Sequence, residues 1–298
     1  MIEIQNCPVC DNNEFTPFLT CLDHSISREN FTLVQCNNCQ LIITSPRPSN
    51  HELSKYYSSP AYTSHIAAAQ SVFDKIYLTA RSFALKWKLS LVKKYTISNQ
   101  KKILDVGCGT AEFLKLAKQN GWATVGLEPS DQARNNSHPS IIKDVRPTLT
   151  DVINEGHKFD AITLWHVLEH VEDLNTTLVA LKTMLAQNGT IFIAVPNHTS
   201  SDGKHYGQNW AGYDVPRHLW HFNKNSMKRL LENHALRIAT IIPMRLDAFY
   251  ISLLSEKYQQ KKSLSILGIT KALFNALTSN FRARNTMNYS SLIYVIKK

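Results

Sequence analysis

Lys101-Lys102-Ile103-Leu104-Asp105-Val106-Gly107-Cys108-Gly109-Thr110 is the stretch that decides the fold. It reads as a short buried strand running into a tight glycine turn. A helical stretch, Glu112 to Asn120, follows and stops at Gly121. Ala123 to Leu127 reads as a second strand that ends on Glu128. Together these make half of a doubly wound nucleotide-binding unit, with an acid about 20 residues after the glycines where it can hold a ribose.

The turn also constrains the ligand. A dinucleotide fingerprint needs a third glycine three residues after Gly109, so that a helix N-terminus can receive a pyrophosphate. Position 112 is glutamate, which repels phosphate, and Asp105 adds to the repulsion. A ligand with a ribose and a cationic or zwitterionic end fits better. The segment resembles the first motif of class I S-adenosylmethionine-dependent methyltransferases. In that family an acid precedes a Gly-x-Gly turn that approaches the methionine end of the cofactor. The resemblance implies that Asp105, Gly107, Gly109 and Glu128 bind S-adenosylmethionine. Ala111 departs from the pattern, since many members carry a third glycine there.

The remaining elements come in the expected order. Phe159 to Trp165 reads as a further strand. Asp173 to Ala186 places Leu174, Leu178, Leu181 and Leu185 at helical spacing. Thr190 to Val195 is an unbroken apolar strand ended by Pro196-Asn197. A helix near Asn225 to His234 precedes two more strands, Leu236 to Pro243 and Ser291 to Ile296. The order resembles the seven-stranded methyltransferase sheet, an α/β doubly wound fold whose last two strands form an antiparallel pair. It covers the chain from about residue 99 to 298.

Two cysteine pairs stand at the front: Cys7-Pro-Val-Cys10 and Cys36-Asn-Asn-Cys39. Two such knuckles suit a tetrahedral four-thiolate zinc site, which leaves no open position and is therefore structural. About 45 residues bury little core, so a metal would supply folding energy there. Paired disulfides compete, but no secretory leader is expected, because a basic segment followed by an apolar run is missing. Residues 1–48 are thus expected to form a zinc-ribbon-like domain. Residues 49–98 are expected to be a linker, with Tyr56, Tyr57 and Tyr62, and a helical cover from Val72 to Tyr95 that includes Phe73, Ile76 and Leu78. A zinc ribbon ahead of a methyltransferase core is similar to the sugar C-methyltransferases of nucleotide-linked deoxysugars. Those enzymes carry a further C-terminal domain that 298 residues leave no room for, so domain order does not settle the substrate.

Chemistry is expected at the carboxyl ends of the strands. Trp165-His166-Val167-Leu168-Glu169-His170 resembles the Leu-Glu-His stretch of ubiquinone-biosynthesis O-methyltransferases. There the strand-end residues face cofactor and substrate, which implies a cofactor contact for Trp165 and a place near the reacting group for His166. His166, Glu169 and His170 could share a helix face and hold a divalent ion, or Glu169 and His170 could only bond neighbouring loops. The second segment, Asn197 to Phe222, is a long loop with five aromatics. Tyr206 and Trp210 are expected to line a substrate pocket, and Arg217 to grip a phosphate or carboxylate. His218 or His221 is a candidate general base. A similar Asp-x-Pro-Arg-His-Leu-x-His-Phe string occurs in uncharacterised bacterial methyltransferases.

Charge is uneven. The chain carries +10 overall, and residues 257–298 hold eight Lys/Arg and no Asp/Glu. A basic helical insertion at about 257–286 could lie on an anionic membrane, cover the pocket or make a dimer contact. Nucleic acid is disfavoured, because the basic residues are not interleaved with stacking aromatics in a recognisable module. No stretch approaches 18 uncharged apolar residues, so no membrane-spanning helix is expected. The expectation is a cytoplasmic methyltransferase acting on an oxygen or carbon of a small-molecule acceptor, with peripheral contact at the inner face of the membrane left open. A sugar or lipid intermediate of surface-polymer synthesis is the substrate that analogy offers. The alternatives are a non-catalytic cofactor-fold scaffold and an RNA-modifying methyltransferase. The oligomeric state is left open.

Overall fold

A computed structural model describes residues 1–57, 72–97, 100–260 and 264–298. Tyr62 of the expected linker lies outside the described residues, as do the side chains of Phe73, Ile76 and Leu78. The strands are β1 Phe15–Leu22, β2 Asn30–Cys36, β3 Ile42–Thr44, β4 Lys102–Val106, β5 Ala123–Leu127, β6 Val145–Arg146, β7 Phe159–Trp165, β8 Leu185–Pro196, β9 Trp220–His221, β10 Arg237–Pro243 and β11 Ser291–Lys297. The helices are α1 Asn50–Leu53, α2 Val72–Tyr95, α3 Glu112–Gln119, α4 Asp131–Asn135, α5 Leu149–Asn154, α6 Leu174–Met184, α7 Ser201–Tyr206, α8 Lys224–Asn233, α9 Asp247–Gln260 and α10 Ile266–Thr286.

The large sheet has the order β10-β11-β8-β7-β4-β5-β6. β6, β5, β4, β7 and β8 run parallel, and β11 lies antiparallel between β8 and β10. The seven strands and the antiparallel pair are as expected. Every residue of β7 from Phe159 to Leu164 is buried, the continuous apolar run of a strand covered on both faces. One core layer joins Leu104, Ile162 and Leu164 to Leu178, Leu181 and Leu231. The other joins Ile103, Ala161 and Phe192 to Leu89, Val92, Phe113 and Trp122. The chain reverses from β7 to β4 at the middle of the sheet, so the crevice opens at the carboxyl ends of those two strands.

The glycine turn leaves β4 with Gly107 at φ +67° and Gly109 at φ +57°. Gly107 and Cys108 both donate backbone N–H to the Leu127 carbonyl, at 2.7 and 3.0 Å, which ties the turn to the end of β5. A Cβ at Gly107 would stand 2.6 Å from a Val167 methyl, so glycine is demanded by both the dihedral and the space. Ala111, the departure from the family pattern, also sits in the left-handed region, at φ +57°.

The second sheet is antiparallel, with the order β1-β2-β3-β9. It is not closed within the first 48 residues, because its edge strand β9 comes from the loop after β8. Ile42 and Ile43 pair with His221 and Trp220, and Thr44 N–H donates to the Leu219 carbonyl at 3.1 Å. Cys7, Val9, Cys36, Leu41 and Ile43 join the core that contains Leu168, Trp220 and Leu231. Asn175 of α6 and Asn233 of α8 donate to the carbonyls of Pro8 and Val9. The N-terminal unit is therefore bonded to α6, to α8 and to the loop that carries β9. The expected linker is not slack where it is described: Ser49 and Glu52 form a capping box on α1, and the Tyr56 hydroxyl donates to Glu29 at 2.7 Å.

Gly107→Ala should lower unfolding stability by about 2–4 kcal/mol, from left-handed strain plus overpacking. Urea denaturation without ligand checks this. Adding Val167→Ala should recover only the packing share, and equal stability of Gly107→Ala and parent would show that the turn can relax.

Candidate functional site

Three strand ends and two helices bring charged groups to the crevice. Asp105, the fourth residue of β4, is buried and accepts a 2.6 Å hydrogen bond from Thr163 Oγ1 on β7. Burial pushes its carboxyl up to about 7, against the pull of Thr163 and of the Lys88 ammonium. Glu128, at the end of β5, accepts from Gly109 N–H at 2.8 Å through Oε2 and from Ser130 N–H at 2.9 Å through Oε1. Its carboxylate thus lies against the glycine turn, the placement a ribose-binding acid needs. Trp165 ends β7, packs edge-on against Phe113 and lies under the Lys88 ammonium, 4.7 Å from its ring centroid. Its buried indole N–H has no hydrogen-bond partner among the described residues.

His166 follows Trp165 at φ +58°, and its N–H bonds to the Ala194 carbonyl. Its Nε2 lies 3.0 Å from Asp247 Oδ2, at the start of α9, and its Nδ1 lies 3.3 Å from Glu169 Oε1. Burial opposes the imidazolium, but the Asp247 and Glu169 carboxylates outweigh it and raise the pKa to about 9. The ring is thus charged at neutral pH and is held on both sides by acids.

His170 and His218 stand edge to face, with ring centroids 4.5 Å apart. His170 Nδ1 lies 3.0 Å from the Arg217 carbonyl and 3.1 Å from the Tyr57 hydroxyl, and His218 Nδ1 lies 2.9 Å from the Gly212 carbonyl. Carbonyls only accept, so each Nδ1 carries a proton, and Nε2 is the nitrogen left to face a ligand. Burial and the neighbouring His218 push His170 down to about 4. Glu169 is fully buried; its Oε1 faces His166 Nδ1 at 3.3 Å, and its Oε2 has no hydrogen-bond partner among the described residues. One ligand atom each from Glu169, His170 and His218 lie within 4.8 Å of one another, a set able to hold a divalent ion. The sequence spacing pointed to His166, Glu169 and His170, whereas the fold substitutes His218 for His166, which Asp247 holds.

The long loop is packed rather than open. Arg217 is 1% exposed, and its guanidinium is engaged by Asp214 (2.7 and 3.0 Å), Asp23 (2.9 Å) and the Tyr56 and Val215 carbonyls. Those groups hold the fork that the sequence reading offered to a phosphate. Trp210 donates from Nε1 to Asp202 at 2.9 Å, and the Tyr206 hydroxyl lies 3.3 Å from Glu256. Both rings are buried with Cys21, Phe31 and Ile251 in a core between the small sheet and α9, so neither lines an open substrate pocket. His221 is no better placed as a base. Its Nε2 lies 3.0 Å from Thr44 Oγ1, whose hydroxyl donates to the His218 carbonyl, and burial holds its pKa well below the ordinary value. His221 therefore serves the small sheet.

The four expected cysteines do converge. Cys7 Sγ lies 3.4 Å from Cys39 Sγ, Cys10 Sγ lies 3.4 Å from Cys36 Sγ, and all four sulfurs fall within 4.8 Å of one another. None is in a disulfide, and Cys21 and Cys108 stand apart from the cluster. The two knuckles share one geometry: Asp11 N–H bonds to Cys7 O, Gln40 N–H bonds to Cys36 O, and Asp11 and Gln40 both have positive φ.

Sequence reasoning missed Lys88, Asp247 and Asp23. Asp247 meets His166 across 81 residues and opens a helix with no motif around it. Lys88 sat within an apolar-patterned helix as one basic residue among several, without a signal to single it out.

A seven-stranded, mostly parallel sheet with a glycine turn after β4 and an acid after β5 defines a Rossmann-like fold. Residues 79–241 match the family described as "Methyltransferase domain", more than half of the chain, and the chain belongs to that family, the class I S-adenosylmethionine-dependent methyltransferases. It is 28% identical over 165 residues to the mitochondrial ubiquinone biosynthesis O-methyltransferase of Homo sapiens, covering 50% of this chain and 44% of that one. It is 34% identical over 110 residues to the ubiquinone biosynthesis O-methyltransferase of Actinobacillus pleuropneumoniae serotype 7, covering 33% and 47%. The chain spans about half the length of these curated relatives. Among solved structures it superposes on a mycolic acid cyclopropane synthase complexed with SAH and CTAB, with a TM-score of 0.51, 12% identity and coverage of 84% and 94%. At that identity the likeness is one of fold.

The His166–Asp247 pair has a measurable consequence. A folded pKa of about 9 lies above the unfolded value near 6.5, so the linked stabilisation is complete below about pH 6.5 and is lost as pH rises through about 9. Asp247→Asn should lower the His166 pKa and remove that alkaline loss, as read by NMR titration of the ring and by melting temperature between pH 6 and 10. An unchanged titration would show that Glu169 alone holds the charge.

Proposed function

We propose that the chain transfers the methyl group of S-adenosylmethionine to an oxygen of a small-molecule acceptor in the crevice at the ends of β4, β5 and β7. The observation that carries this is the charge pattern there. Asp105 is a carboxylate whose pKa burial raises, Glu128 lies against the glycine turn where a ribose-binding acid would stand, and the Lys88 ammonium is near enough to act on Asp105. A zwitterion with a ribose satisfies all three: its ammonium end near Asp105 and the Gly107–Gly109 turn, its carboxylate toward Lys88, its hydroxyls on Glu128. Trp165 would wall the cofactor and offer its unpartnered N–H. The bound cofactor supplies an electrophilic methyl. The chain's own contribution would be alignment of the acceptor at near-attack distance. His166 would act on the acceptor only where an acceptor hydroxyl replaces Asp247 or Glu169 at one of its ring nitrogens.

The similarity to ubiquinone O-methyltransferases favours oxygen over carbon as the acceptor atom. The finer reading of the acceptor, a sugar or lipid-linked intermediate of surface-polymer synthesis, rests on the resemblance of the domain order to sugar methyltransferases. The non-catalytic scaffold and the RNA-modifying enzyme remain as competing readings that the same assay separates.

S-Adenosylhomocysteine titrated by calorimetry tests the cofactor site. Binding should weaken as pH falls below about 7, because protonating Asp105 removes the partner of the ligand ammonium. Asp105→Asn should bind weakly at every pH and lose that dependence, and Glu128→Ala should cost roughly 1–3 kcal/mol. No heat with S-adenosylhomocysteine, or tight binding of a nicotinamide dinucleotide instead, would overturn the assignment.

We also propose that Cys7, Cys10, Cys36 and Cys39 hold one structural zinc. Zinc–sulfur bonds of about 2.3 Å in a tetrahedron separate the sulfurs by about 3.8 Å, near the spacing found. Elemental analysis should give about one zinc per chain. Cys36→Ser should release it and open residues 1–57 to protease. Because β3 pairs with β9, the same variant should also lower the melting temperature of the whole chain. Metal-free protein with a protected N-terminus would sink the proposal.

A further inference from the structure

α10 carries its side chains in an unusual arrangement. Gly268, Ala272, Ala276, Ser279 and Ala283 are all buried and face α9 and α7. Ile266, Thr270, Phe274, Leu277 and Phe281 repeat the same spacing, displaced by two residues. At 100° per residue that displacement puts the second stripe on the opposite side of the helix. The small residues therefore face the protein and the large apolar ones face outward: Ile266 is 83% exposed, and Phe274 and Phe281 are each 66% exposed. Leu267, Leu273 and Leu277 widen the same patch. A surface helix that buries its alanines and exposes its phenylalanines is built for something outside the fold.

The charge around the patch selects the partner. Lys271, Arg282 and Arg284 are exposed at its rim, and the Arg284 guanidinium lies 5.3 Å from the Phe281 ring centroid. From Arg245 to Lys298 the only acids are Asp247 and Glu256. Asp247 is paired with His166, and Glu256 is buried. No exposed acidic side chain in that segment would repel an anionic surface. The face is convex, a single helix rather than a groove, so it suits a flat partner better than an inserted peptide. A twofold contact with a second copy would bring identical basic rims together and set like charges against each other. No helix among the described residues is long and apolar enough to cross a membrane.

We infer that α10 is an interfacial helix that seats the protein on an anionic lipid bilayer, with Phe274, Leu277 and Phe281 in the acyl boundary and the basic rim among the headgroups. The inference stands on α10 alone and does not depend on the methyl-transfer reading.

Flotation of the full chain with vesicles tests it. The protein should float with phosphatidylcholine vesicles that contain roughly one-third phosphatidylglycerol and stay behind with phosphatidylcholine alone. Binding should fall as salt is raised. The double variant Phe274→Ser, Phe281→Ser should lose at least about tenfold in partition, and Lys271→Glu with Arg284→Glu a similar amount. An unchanged thermal transition shows that each variant is folded, whether or not cofactor binds. Failure of the parent to float with anionic vesicles overturns the inference, as does equal flotation of the phenylalanine variant. Lipid-free dimerisation that the double phenylalanine variant abolishes would reassign the face to a second copy of the chain.

Discussion

The buried guanidinium of Arg217 joins three parts of the chain that lie far apart in sequence. Its fork closes on Asp214 from its own loop, on Asp23 from the turn after β1, and on the Tyr56 carbonyl from the segment after α1. Asp23 is itself the hub of that turn, accepting from the N–H groups of Ser25, Ile26 and Ser27. Removing one member of such a buried set commonly costs about 3–5 kcal/mol, because the others stay buried and unpaired. With Arg217 in place, His218 and the β9 strand are delivered to β3, and His170 receives the Arg217 carbonyl. The small sheet, the long loop and the floor beneath the crevice are thus positioned by one charge.

The large sheet was legible because its rules are local. A short, mostly apolar run with a turn after it marks a buried parallel strand, and Ile103 to Val106, Phe159 to Trp165 and Thr190 to Val195 all obeyed, with Asp105, Asp160 and Thr163 among their buried polar members. The cysteine knuckles were legible for a similar reason: the Cys-x-x-Cys spacing encodes the turn that brings two sulfurs together. The loop was misjudged where residue type was taken for role. Arginine and histidine between aromatics read as a ligand site, yet Asp23 lies 194 residues from Arg217 and Thr44 lies 177 residues from His221. Nothing near either residue in sequence announces those partners. Lys88 and Asp247 were missed for the same reason, since their role comes only from the sheet end they reach.

The histidines divide by their surroundings rather than by their number. His166 lies between two carboxylates and is driven up, whereas burial drives His170 and His221 down, at His170 against the pull of the Glu169 and Asp214 carboxylates. Of the candidate bases, His166 is thus the ring held charged at the crevice and His221 the one held neutral in the small sheet.

The pairing of β3 with β9 bears on how the chain is made. Ile42 and Ile43 leave the ribosome about 180 residues before His221 and Trp220, so β3 presents an unpaired edge through most of synthesis. The cysteine knuckles, by contrast, are complete within the first 40 residues and could close on a metal early. A bound ion would then keep β1, β2 and β3 in register while the Rossmann-like core is still being translated. The order of assembly would run from the metal to the large sheet to the strand that joins them, with the loop that borders the crevice the last part to lock.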